Sequence, residues 1–133
     1  MDAARNTWIS STLASESTAL AAALAVLDWH EEADVCATLA ETGREIRASF
    51  ERAIAASGVV GVAVDGIDPM FLCRWDDPAR EARFLAECAR AGVIVKRGAY
   101  NFAAIAHDEE AIQEMEAAVS SALVALADSE SSR

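Results

Sequence analysis

The apolar residues change period at Gly58, and that change decides the fold class. Upstream, Val35, Leu39, Ile46, Phe50 and Ile54 recur at helical spacing, with Glu41, Arg44, Arg47 and Glu51 on the opposite side. Downstream, Val60, Val62 and Val64 alternate with Gly61 and Ala63, the pattern of a strand with one covered face. A chain that switches from one period to the other is neither a pure helical bundle nor an all-β sandwich.

The remaining elements follow from caps and breakers. Thr12 and Ser15, ahead of Glu16 in a first turn, predict a helix to about residue 32, and a second helix should cover 33–57 and end at Gly58. Strands are expected at 59–65 and 70–75, joined by a turn over 65–69. Asp77 before Pro78 is an N-cap followed by proline at the first helical position, and Phe84, Leu85, Cys88 and Ala91 form the buried face of a helix that stops at Gly92. Two further strands are expected at 93–96 and 101–106. Asp108 caps a last helix, in which Ile112, Met115, Val119, Ala122, Leu123 and Leu126 recur at helical spacing. The polar residues 128–133 should fray. This order predicts an α+β fold, a mainly antiparallel sheet with helices packed on one face.

Composition narrows the function. The 133 residues suit one domain, and 53% apolar content is enough for a core. With 11 Lys plus Arg against 22 Asp plus Glu, the net charge of -11 repels phosphate backbones and anionic membranes, so no nucleic-acid or membrane partner is expected. The longest apolar run, 19–27, is too short to span a bilayer, and the first residues lack the basic start of a signal peptide; a cytoplasmic protein is expected. Yet that run is apolar almost all round, which calls for a neighbour to cover it. Three scattered cysteines fit reduced thiols, and His30 and His107 are too far apart in sequence to suggest a metal site. Lys96 is the only lysine.

Few residues stand out as chemistry. The hydroxyls of Ser10, Ser11 and Thr12 precede a helix, so they could seat an anion or simply cap it. The acidic run after His107 is what a helix dipole favours in a first turn. Tyr100, Asn101 and Phe102 follow Lys96, Arg97 and Gly98 between two strand-like runs, a place where loops face ligands but also pack. There is no nucleophile elbow and no glycine-rich phosphate loop.

Three stretches together carry a family likeness. Trp8-Ile9-Ser10-Ser11-Thr12-Leu13-Ala14-Ser15-Glu16 with its Ala-rich sequel, Ala91-Gly92-Val93-Ile94-Val95-Lys96-Arg97-Gly98, and Asn101-Phe102 with Ala106-His107-Asp108-Glu109-Glu110-Ala111-Ile112 occur in order. This sequence resembles the C-terminal part of class III aminotransferases, which use pyridoxal 5'-phosphate (PLP), and looks most like the glutamate-1-semialdehyde aminomutase branch. Asp68-Pro69-Met70-Phe71 falls where that family has its small-domain hairpin.

The resemblance implies the small-domain portion of a fold-type-I PLP enzyme: 1–32 as the end of the large domain, 33–127 as the C-terminal small domain, and 128–133 as a tail. It implies that Ser11 and Thr12 contact the cofactor phosphate across a dimer interface, and that Arg97 or Asn101 meets a substrate carboxylate. The family's Schiff-base lysine matches no residue here, since Lys96 lies in the small-domain region, so this chain alone has no expected catalytic residue and should be inactive. The implied partner is the N-terminal large-domain portion or a full-length relative, in a homo- or hetero-oligomer. The alternative is a non-catalytic dimerisation or docking module derived from the same domain.

Overall fold

The computed structural model describes residues 16–131. Its elements run α1 (Ser17–Glu32), α2 (Val35–Ser57), β1 (Val62–Ile67), β2 (Met70–Trp75), α3 (Pro78–Arg90), β3 (Asn101–Phe102) and α4 (Glu109–Ser131). The chain divides into two compact units, Met1–Val35 and Cys36–Arg133.

In the first unit, α1 is capped by Glu16 itself rather than carrying it in the first turn. The Glu16 carboxylate accepts from the Thr18 N–H at 3.1 Å and the Ala19 N–H at 2.8 Å. Hydrogen bonds from Thr18, then from the Ala19 amide, hold that carboxyl below the usual range. No side chain of α1 is buried, and Leu20, Leu24 and Leu27 are each more than half exposed. Apolar patches beyond a few hundred Å2 are rarely left open to water. The isolated chain should therefore self-associate. Light scattering with a hydrophobic dye checks this, and a monodisperse monomer that binds no dye would show that α1 needs no cover.

The second unit is an α+β layer, three strands in the order β1-β2-β3, antiparallel throughout, with helices packed on its inner face. Strand β2 alternates as its period demands: Phe71 and Cys73 point inward and are buried. Phe71 meets Phe50 of α2 edge-on at 5.3 Å, and Trp75 meets Phe84 of α3 at 5.1 Å. Ile46, Phe50 and Ala53 of α2 and Val119, Ala122, Leu123 and Leu126 of α4 complete the core. Ser49 is fully buried there; its hydroxyl donates to the Ile46 carbonyl at 2.7 Å, so it brings no unsatisfied group inside.

Four expectations are corrected. The first strand is displaced toward the C-terminus, because Ile67 pairs with Met70 and leaves only Asp68 and Pro69 in the turn. Gly66 is a strand residue with φ +113°, where a side chain would strike the Met70 carbonyl. Residues 93–96 form no strand. After Gly92, at φ +89°, the Val93 N–H donates back to the Cys88 carbonyl at 2.9 Å and the Gly92 N–H to that of Ala89, which closes α3 in a Schellman motif. The Lys96 N–H is taken by the Asn101 side chain. Finally, 101–106 shrinks to Asn101–Phe102: the Ala103 N–H still donates to the Pro69 carbonyl, but proline has no N–H to return, and the Ala104 N–H turns to the His107 ring. At the other end, α4 continues to Ser131, past the expected start of the tail.

The caps of α3 and α4 match expectation. Asp77 accepts from the Ala79 N–H at 2.7 Å with Pro78 opening α3, and Asp108 accepts from the Ala111 N–H at 2.9 Å.

Candidate functional site

The loop between α3 and β3 is built by three side chains that replace a missing backbone ladder. The Schellman closure of α3 starts it. Asn101 then closes it, its Oδ1 accepting from the Lys96 N–H at 2.8 Å. On the outside, the Glu81 carboxylate accepts from the Gly98 N–H at 3.0 Å and pairs with the Arg97 guanidinium at 3.4 Å. Arg97 also reaches the Pro78 carbonyl. Glu81 is 14% exposed and Arg97 58%, so the acid is the fixed member of the pair and the arginine the accessible one.

Held this way, the loop forms one wall of a cleft of about 400 Å3. The floor is apolar: Ile46 and Phe50 from α2, Phe71 from β2 and Met115 from α4. Lys96, Tyr100, Asn101 and His107 add the polar groups, while Phe102 and Ile94 extend the apolar lining. His107 accepts from the Ala104 N–H through Nδ1 at 3.0 Å, which places its ring proton on Nε2. A second hollow, which also touches His107, is lined by Glu41, Glu45 and Glu109 with Arg52 among them.

The structure thus brings Asn101, but not Arg97, to the cleft wall. It also brings in Lys96, His107 and Tyr100, which the sequence did not single out as a group. Ser11 and Thr12 lie outside the described residues. Burial pushes the Cys73 and Cys88 thiols up to about 12, so neither offers a thiolate at neutral pH. Among the described residues no His, Cys, Asp and Glu cluster could hold a metal ion, and no helix is long and apolar enough to cross a membrane.

The cleft does not fit PLP as a complete site. That cofactor takes a carboxylate at its pyridine nitrogen and a cradle of amides at its phosphate. No acidic residue lines the cleft, and the nearby loop amides of Lys96 and Gly98 are already taken by Asn101 and Glu81.

The chain is similar to the FumI protein of Sphingopyxis sp. MTA144, a structure solved in its PLP internal aldimine form. The match has a TM-score of 0.82 and 25% sequence identity. It covers 98% of this chain and 32% of that one. No family model matches the sequence, and neither does any curated protein. The chain is therefore a structural homologue, at superfamily level, of a protein that carries PLP, and it has the small α+β domain fold that the resemblance implied.

Proposed function

We propose that this chain forms the C-terminal part of a class III, PLP-dependent aminotransferase or aminomutase of the cytoplasm. Combined with a lysine-bearing large-domain portion, it would transfer an amino group between an amino acid or amine and a carbonyl compound. The observation that carries this reading is the match over 98% of the chain to 32% of a PLP-bearing protein. The cofactor would supply an electron sink at the substrate carbon, from the other portion. This chain's part is to shape the substrate side and to close the phosphate site across a dimer. Arg97, accessible beside the fixed Glu81, is suited to meet a substrate carboxylate, with Asn101 keeping its loop in place. Mixing the chain with a lysine-bearing large-domain portion and assaying amino transfer tests the reading. Tight association without any transfer would favour the docking module, which the uncovered α1 also suits.

Thr12 gives a sharper test. Glu16 caps α1, so Thr12 is not needed for that purpose. In the proposed dimer its hydroxyl donates to the cofactor phosphate, and a hydrogen bond to a charged group is worth about 1.5–3 kcal/mol. Thr12→Ala should weaken cofactor binding by about one to two decades and leave the melting temperature in place. Thr12→Ser, which keeps the hydroxyl, should bind nearly as wild type. Cofactor dissociation constants and melting curves on the same two variants decide it, and an unchanged constant for Thr12→Ala removes the residue from the site.

A further inference from the structure

We propose that the cleft under the 93–102 loop binds a small organic carboxylate with a linear apolar tail. The inference goes beyond the cofactor reading and does not rest on it.

The volume of about 400 Å3 lies within the range of small-molecule sites, and the lining has their usual make-up, an apolar floor with a few polar groups at one side. Charge selects the ligand. The chain carries 22 acidic residues and a net charge of -11, yet no acidic side chain lines this cleft. Its only lysine, Lys96, does.

The neighbouring cation stands outside this cleft: Arg97 is not part of its lining and meets Glu81 on the outer side of the loop. Among the described residues Lys96 has no ion pair. The loop geometry fixes where Lys96 stands, because its own N–H is held by Asn101. His107, also in the lining, has its Nδ1 lone pair used by Ala104, which leaves Nε2 as its donor. An ammonium and a ring N–H beside an apolar floor suit a carboxylate head with its tail laid on Phe50, Phe71 and Met115. A cation would gain nothing from Lys96, and a neutral alcohol would gain the floor and a weaker, singly charged hydrogen bond.

The test uses the full chain without cofactor, so its outcome is independent of the aminotransferase reading. The chain is titrated with hexanoate and, separately, with hexanol, while the backbone amides of 93–102 are followed by NMR. Saturable shifts in that loop are expected for hexanoate, with hexanol at least ten-fold weaker. Lys96→Gln, an exposed substitution whose fold circular dichroism confirms, should weaken hexanoate about ten-fold and leave hexanol unchanged. Equal binding of the two compounds, no effect of Lys96→Gln, or shifts confined to α1 would each overturn the proposal.

Discussion

Phe50→Ala should cost the second unit about 3–5 kcal/mol, a large part of the roughly 5–15 kcal/mol that holds a domain of this size together. Phe50 is 2% exposed and stands edge-on to Phe71 at the point where α2 crosses the sheet. Truncation removes the ring from the core, loses the aromatic pair and leaves a cavity that opens into the cleft, whose floor Phe50 also supplies. Urea unfolding should show a lower midpoint with an unchanged slope. A midpoint within error of wild type would mean that α2 does not seat on β2 through this ring.

Gly43→Ala should be the second most damaging change, with a sign opposite to helix propensity. In an exposed helix interior the replacement would stabilise by about 1 kcal/mol. Here Gly43 lies in α2 against the hairpin turn, and a Cβ built on it overlaps the Asp68 carbonyl and approaches the Pro69 Cα. Those are backbone atoms and cannot swing aside, so the helix must lift from the turn, at a cost near the upper end of overpacking, about 3 kcal/mol. Thermal melts of Gly43→Ala beside Gly58→Ala separate sterics from backbone conformation. At Gly58 a Cβ meets nothing within 4 Å and only φ +68° resists it, so the milder loss is expected there.

Much of the fold was legible because local chemistry and tertiary packing agree. Asp77 before Pro78 marks a helix start on its own, and Gly58 and Gly92 mark helix ends, since both adopt the left-handed conformation they suggest. Where the two disagreed, the sequence misled. Asp65-Gly66 has turn chemistry, but the glycine serves a close approach across the hairpin and the turn falls on Asp68-Pro69. Val93 to Lys96 has strand composition, but its amides are drawn to the end of α3 and to Asn101.

The site was visible only as a loop. Glu81 reads as one more acid on the polar side of a helix, 16 residues from its partner Arg97, and nothing local announces the pairing. Nor could the cleft be read, as its floor comes from α2, β2 and α4, elements far apart in the chain. The resemblance anticipated the fold.

The double attachment of α2 bears on how the domain opens. Midway along it, Arg44 and Arg47 pair with Asp68, and Arg47 donates to the Gly66 carbonyl at the hairpin tip. Two turns further on, Arg52 forks onto Glu116 of α4. Loosening this one helix would therefore release the hairpin and the last helix together, so the unit has no cheap partial opening along α2 and its amides should exchange with solvent only when the whole unit unfolds. For α1 the reverse holds: a helix with no buried side chain can fray and re-form at little cost, and its order would be set by whatever binds it.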